Sequence, residues 1–266
     1  MDLGIEGKTA IVTGAAGGMG RHTTAMLLRE GVSVVMSDVS QEALDDAVAW
    51  LPDDLPTPLT VVADLSTDEA AQELARTVQD LAGEVDILVS GAGITGATGY
   101  FHELEDADFV DTITTNLLSA IRVTRAFLPA LRAGGWGRVV YVNSEDAFQP
   151  YDDELPYVAS KAGLLAFAKG LSRTYASEGL LVNSVAPAFI NTPMTDKMME
   201  KRSKQLDTSF DEAVESFLDE QRPYMELGRR GRPEEVAAVI VFLCSQHASF
   251  VNGATYRVDA GSVATI

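Results

Sequence analysis

Short apolar runs alternate with stretches of helical spacing along most of the chain. Thr9 to Thr13 is apolar and β-branched with no charged position, and a glycine-rich turn follows it. Met19 to Arg29 then shows helical spacing and stops at Gly31. The alternation continues with strands predicted at Val32 to Ser37, Leu59 to Ala63 and Val85 to Val89. Helices are predicted between them at Gln41 to Trp50 and Asp68 to Leu81, the latter ended by Gly83. A long helical stretch, Asp106 to Leu131, leads to a strand at Arg138 to Asn143. Tyr157 to Ser177 reads as an Ala/Leu-rich helix and Leu181 to Val185 as the next strand.

Strands that are apolar throughout are buried on both faces, and strands separated by helices form a parallel sheet through right-handed crossovers. The fold class is therefore α/β: a Rossmann-type doubly wound parallel sheet of about seven strands with helices on both faces. Residues 191–230 interrupt the pattern, being charged and Met-rich with helical character at Asp211 to Gln221. The pattern resumes with a helix at Glu234 to Cys244, opened by Pro233, and a strand at Ala254 to Val258. No repeat, low-complexity stretch or linker divides the chain, so 1–266 reads as one domain with 191–230 as a lid over the substrate.

Composition narrows the function classes. A net charge of -19 repels nucleic acid and anionic membranes, and no Lys/Arg cluster offsets it. No apolar run of about 18 residues is present, so no membrane span is expected. Met1 to Lys8 has no apolar leader and passes straight into the first strand, which predicts a cytoplasmic protein. Cys244 is the single cysteine, so no disulfide forms within the chain. His22, His102 and His247 are scattered, and no metal site is expected.

The first chemical signal is Thr13-Gly14-Ala15-Ala16-Gly17-Gly18-Met19-Gly20. A strand before it and a helix after it make this a phosphate-binding turn, with free helix N–H groups aimed at a pyrophosphate. A turn needing positive φ would account for one or two glycines, not four. Asp38 follows the second strand, where a carboxylate accepts the hydroxyls of an adenosine ribose and repels a 2′-phosphate. Ser37 and Val39 beside it supply no cation, so NAD is expected rather than NADP, although Arg21 and His22 stand on the first helical turn. The plainer role for Asp38 is that of a turn or N-cap residue ahead of Gln41.

The second signal is Tyr157-Val158-Ala159-Ser160-Lys161. Residues i and i+4 share a helix face, so Tyr157 and Lys161 are neighbours. A phenol near pH 7 is a poor proton shuttle unless a nearby positive charge favours the phenolate. Ser144 ends the preceding strand, where its hydroxyl can hold a substrate oxygen against the Tyr. A Tyr-x-x-x-Lys pair alone is also an ordinary solvated helix face; the order of motifs weakens that reading.

With these residues in this order the sequence resembles the short-chain dehydrogenase/reductase family, from Gly7 to Gly261. The family's glycine motif falls on Thr13, Gly14, Gly18 and Gly20, and its catalytic Asn, Ser, Tyr and Lys fall on Asn116, Ser144, Tyr157 and Lys161. The resemblance implies that Tyr157 exchanges a proton with the substrate oxygen, that Ser144 orients it, and that Lys161 binds the nicotinamide ribose. It also implies that Asn116 holds a water linking Lys161 to solvent; a helix kink satisfied by backbone contacts is the structural alternative for that residue. Asp64 and Leu65 correspond to the adenine contacts, with Met19 and Val39 beside the dinucleotide. Pro187, Ile190 and Thr192 correspond to the residues that hold the nicotinamide carboxamide. The family's Asn-Asn-Ala-Gly is here Ser90-Gly91-Ala92-Gly93, which leaves Gly91, Ala92 and Gly93 to line the cofactor and removes a side chain that would brace the fourth helix. Asn143 precedes Ser144 where Ser or Gly is usual, and Ala188 replaces a glycine.

A small alcohol or ketone is the expected substrate, and three segments are candidates for choosing it: Ile94 to Phe101, Glu145 to Pro156 and Asn191 to Tyr224. In the second, Glu145 and Asp146 follow the Ser, and Asp152-Asp153-Glu154 precede the Tyr. These acids suit a hydroxylated or amine-bearing substrate, but Asp152 to Glu154 also read as exposed loop acids. In the third, Met194, Met198, Met199, Phe210, Phe217, Tyr224 and Met225 suit either a mobile lid or the segment's own packing. The apolar surface of Asp106 to Leu131 and Tyr157 to Ser177 exceeds what one sheet face needs, and the resemblance implies a homo-oligomer, a tetramer or dimer. Two alternatives remain: an NADPH-dependent 3-oxoacyl reductase, and a non-catalytic dinucleotide-binding regulator on the same fold.

Overall fold

A computed structural model describes residues 2–265. Seven strands form one parallel sheet in the order β3-β2-β1-β4-β5-β6-β7. They are β1 (Thr9–Thr13), β2 (Ser33–Asp38), β3 (Leu59–Val62), β4 (Ile87–Ser90), β5 (Gly137–Val142), β6 (Leu180–Pro187) and β7 (Thr255–Val258). Strand order reverses between β1 and β4, which opens a crevice at the carboxyl ends of those two strands.

The apolar runs bury both faces by alternation. Ala10 and Val12 of β1 join Val34, Met36, Ile87 and Val89 in one core layer, while Ile11 joins Val35 and Leu88 in the other. The first layer is covered by α1 (Gly18–Arg29), α2 (Gln41–Trp50) and α9 (Pro233–Cys244). The second is covered by α3 (Asp68–Ala82), α5 (Ser119–Ala133) and α6 (Leu155–Thr174). The edge strands β3 and β7 are not fully buried, unlike the expectation for continuous apolar runs, because each has a neighbour on one side only. Gly31 ends α1 at φ +76°, a conformation that a side chain would strain.

Two local structures differ from the expected ones. The long helix at 106–131 is α4 (Asp106–Ile113), a widened π turn (Thr114–Leu118) and α5. The segment 191–230 carries two helices, α7 (Pro193–Leu206) and α8 (Phe210–Gln221), of which only α8 was legible as a helix. An isolated parallel bridge between Ile190 and Gly231 closes the base of this segment. Met199, Phe217 and Met225 pack with Phe189 as its own small core.

Candidate active site

The crevice at the sheet's switch point is lined by the glycine turn and by the ends of β2, β3 and β4. Of the predicted cofactor residues, Gly14, Gly18, Met19, Gly20, Asp38, Val39, Asp64, Leu65, Gly91, Ala92, Gly93 and Thr192 line it. Gly14 has φ +65°, and a Cβ there would stand 2.6 Å from the Gly91 carbonyl oxygen. A Cβ on Gly18 would stand 2.9 Å from Thr192 Cγ2. The backbone of the turn is therefore open to a ligand because its neighbours leave no room for side chains, which fits a pyrophosphate resting on the start of α1. The two halves of the crevice are tied together: Gly91 N–H donates to Thr13 O at 3.1 Å.

Asp38 ends β2 with both carboxylate oxygens engaged. Ala16 N–H donates to Oδ2 at 3.0 Å and Val39 N–H to Oδ1 at 2.8 Å. The carboxylate is held at the rim of the crevice against the glycine turn, while α2 is capped by Ser40 instead. Sequence reasoning missed Ala16 as its anchor, because a backbone donor carries no residue signature. Pro187 and Ile190 do not line the crevice; both are buried where β6 leaves the sheet. Thr192 caps α7 and stands against Gly18.

Tyr157 and Lys161 lie one turn apart on α6, with the Lys161 ammonium 5.5 Å from the Tyr157 ring centre. The buried ammonium donates to Val142 O at the end of β5, at 2.9 Å. Burial lowers the Lys161 pKa to about 8. Tyr157 is pushed well above the usual phenol range, by burial and then by the charge of Asp146, with a hydrogen bond from Ser144 opposing. That is the reverse of the expected effect of the Lys–Tyr pairing: burial first, and the Asp146 charge after it, set the direction.

Asn116 sits in the π turn, 1% exposed. Its Oδ1 accepts from Ile94 N–H at 2.8 Å, and its Nδ2 donates to Ile94 O at 2.9 Å and to Ser160 Oγ at 3.0 Å. The side chain thus braces the strand-exit loop that lost its usual Asn at Gly91. An added Cβ on Gly93 would lie 3.0 Å from Asn116 Oδ1 and 3.7 Å from the Lys161 ammonium, so Gly93 keeps open the space between these two groups.

A second, narrower cavity adjoins the crevice and shares Met194 with it. Ser144 and Tyr157 form its floor, with Ala188, Phe189 and Met198 on the apolar side. The opposite wall is acidic. Ser144 Oγ donates to Asp146 Oδ1 at 3.1 Å, and Glu154 lines the same wall. Burial, and after it the Asp146 charge, raise the Glu154 pKa to about 8. Arg222, just past α8, donates to Glu145 Oε1 at 3.0 Å, lies 3.5 Å over the Tyr151 ring and reaches within 3.8 Å of Glu154. Burial still raises Glu145 to about 7. Glu154 is therefore part of the site, not an exposed loop acid; Asp152 and Asp153 are exposed. Arg222 and Glu154 were missed as a pair because only the fold brings them together.

Among the described residues, no helix is long and apolar enough to cross a membrane. A family model described as enoyl-(acyl carrier protein) reductase matches residues 14–263. The 3-oxoacyl-[acyl-carrier-protein] reductase of Thermotoga maritima is 34% identical over 260 residues, covering 97% of this chain and 99% of that protein. L-sorbose reductase from Gluconobacter frateurii, solved with NADPH and L-sorbose, is 31% identical with a TM-score of 0.93 and covers 100% of both chains. Levodione reductase is 28% identical with a TM-score of 0.89, covering 98% of this chain and 99% of that one. The shared sheet, crevice and full-length similarity establish that this chain belongs to the short-chain dehydrogenase/reductase family of nicotinamide-dependent oxidoreductases acting on alcohol and keto groups.

Proposed function

We propose that this protein is an NAD(H)-dependent dehydrogenase/reductase of a small secondary alcohol and its ketone. The observation that carries the reading is the cavity lined by Ser144 and Tyr157 beside the cofactor crevice, the two sharing Met194, with Lys161 one helical turn behind Tyr157. The bound nicotinamide supplies the hydride acceptor or donor and, when oxidised, a positive charge that favours the Tyr157 phenolate. In alcohol oxidation the Tyr157 phenolate takes the hydroxyl proton as the carbinol hydride departs. In ketone reduction Tyr157 returns that proton to the oxygen. Ser144 positions the oxygen, Lys161 holds the ribose side and its charge, and Asn116 keeps the proton path beside Gly93 open. Asp38, with no cation at Ala16 or Val39, selects NAD over NADP. Thr192 orients the nicotinamide amide with its side chain, and Pro187 and Ile190, buried behind the crevice, hold the segment that carries it.

The second reading, an NADPH-dependent 3-oxoacyl reductase, draws support from relatives of that name. Against it stand Asp38, the acidic wall beside Ser144 and the absence of a free basic face for an acidic carrier. Arg229, Arg230 and Arg232 do cluster, but they pair with Glu235, Asp196 and Glu234. We also place the protein in the cytoplasm as a homo-oligomer, a tetramer or dimer. The edge strand β7 exposes Tyr256, and Phe250 beside it is fully exposed, an arrangement suited to a second copy. Light scattering at the monomer mass would contradict that.

The test is turnover: NAD⁺ or NADP⁺ is incubated with secondary alcohols, sugars, steroids and cyclic diols, and reduced-cofactor fluorescence is followed. Turnover with NAD⁺ that Tyr157→Phe abolishes is expected. Tight NADH binding without turnover of any alcohol would overturn the reading.

A further inference from the structure

The carboxyl pair beside the catalytic serine has no evident structural purpose. Arg222 already has a partner in Glu145, 3.0 Å away and 1% exposed, and it lies against the Tyr151 ring. Asp146 and Glu154 add two further acids to the same enclosed wall, at 4% and 9% exposure. Burial disfavours both of their charges, so an apolar pair would pack the wall at lower free energy. Groups held in such surroundings inside a cleft are characteristic of function.

Their position says which part of a substrate they meet. The reacting oxygen lies between Ser144 Oγ and the Tyr157 hydroxyl. Asp146 Oδ1 is 3.1 Å from Ser144 Oγ, and Asp146 and Glu154 both line the cavity. Oxygens on adjacent carbons stand about one hydrogen-bond length apart. An oxygen on the carbon next to the reacting one therefore falls against the carboxyl pair. Neighbouring carboxyls of which one, Glu154, keeps its proton offer a hydroxyl both an acceptor and a donor. Arg222 lies within 3.8 Å of Glu154 and steadies it from the segment 193–230.

We propose that Asp146 and Glu154, two buried carboxyls lining the cavity beside Ser144, are specificity-determining residues that select substrates with a second oxygen on the neighbouring carbon: vicinal diols and α-hydroxyketones. The inference rests on Ser144 and Tyr157 holding the reacting oxygen, as proposed above. A mono-alcohol of the same shape leaves the buried pair without its partner, and sites built around a substrate hydroxyl reject such analogues strongly.

The experiment compares cyclohexane-1,2-diol with cyclohexanol on the wild-type enzyme and on Glu154→Leu and Glu154→Gln. Two readouts are used: turnover with NAD⁺, and binding to the enzyme–NADH complex followed by NADH fluorescence. The wild type should favour the diol by at least about 100-fold in kcat/KM, mainly through KM. Glu154→Leu should shrink that ratio at least tenfold, and Glu154→Gln, which keeps a donor and an acceptor at the same place, should restore most of it. Wild-type values within about threefold for the two alcohols, or a ratio that Glu154→Leu leaves unchanged, would overturn the proposal. The binding arm separates the two levels of the argument. Diol-selective binding without turnover would sink the catalytic reading and sustain this one. Equal turnover of both alcohols would sustain the catalytic reading and sink this one, and equal or undetectable binding of both without turnover would sink it too.

Discussion

Asp38→Asn is nearly isosteric, so it removes a charge with little change of shape. Asp38 is pinned by two backbone donors, Ala16 N–H at 3.0 Å and Val39 N–H at 2.8 Å, and it lines the rim of the cofactor crevice. An adenosine ribose placed there gives its two hydroxyls to the carboxylate, and charged hydrogen bonds of this kind contribute about 1.5–3 kcal/mol. A 2′-phosphate would instead meet the carboxylate at close range. Two like charges about 4 Å apart repel by about 4 kcal/mol at a near-surface dielectric. Salt screening reduces that figure, and a discrimination of roughly 100-fold or more remains at about 1.4 kcal/mol per tenfold. Arg21 stands nearby, but it donates to Ala16 O at 3.2 Å and lies over the Trp50 ring. Removing the Asp38 charge should therefore relax the choice of cofactor without reversing it fully. The assay is initial rates with NAD⁺ and NADP⁺ on one alcohol, paired with NADH and NADPH binding by fluorescence so that the result does not depend on the substrate chosen. The wild type should prefer NAD by about 100-fold, and Asp38→Asn should cut that preference at least tenfold, with weaker NAD and stronger NADP binding. A wild type that prefers NADP, or a variant with unchanged selectivity, would refute the reasoning.

Other expectations concern the same machinery. Lys161→Met should lower kcat/KM at least about 100-fold and weaken NADH binding, because the buried ammonium is the positive charge nearest Tyr157; rates and fluorescence titration check both. Gly14→Ala puts a Cβ at φ +65° and 2.6 Å from Gly91 O, which should destabilise the fold by about 1–2 kcal/mol and weaken NADH binding at least tenfold, read by thermal unfolding and titration. Glu145 is raised from 4.5 to about 7, so the folded chain keeps a proton there that the unfolded chain has lost. Its contribution is present below pH 4.5 and is lost as pH rises through about 7, worth about 3 kcal/mol. Tm should thus fall between pH 5 and 8, and Glu145→Gln should flatten the fall; a Tm that rises over this range in the wild type would contradict it.

The sheet, the glycine turn and the Tyr–Lys helix were legible because each is written in local pattern: apolar runs, glycines at a strand exit, and residues one helical turn apart. Helix α7 was not, since Pro193–Leu206 is rich in charged residues and only a few methionines mark its inner side. The π turn was hidden because Asn116 occupies a position that reads as ordinary helix; its reason is the pair of bonds to Ile94, in a loop distant in sequence. Glu154 read as a solvated loop acid because nothing local buries it. Its partners are Asp146, across a loop, and Arg222, delivered by the segment 193–230. Within that segment the methionines divide: Met199 and Met225 fill its own core, Met194 faces the substrate cavity, and Met198 touches both. Sequence pattern could not separate those two uses, because both require an apolar side chain.

The central claim is direct hydride exchange at a carbon whose oxygen is held by Ser144 and Tyr157. Reduction of an α-hydroxyketone or a simple ketone with NADH deuterated at the transferring position tests it most directly. The account predicts one deuterium on the product's carbinol carbon, none in the solvent, and at least about 1,000-fold slower transfer by Tyr157→Phe. Deuterium appearing in water, or transfer at an unchanged rate in Tyr157→Phe, would contradict it.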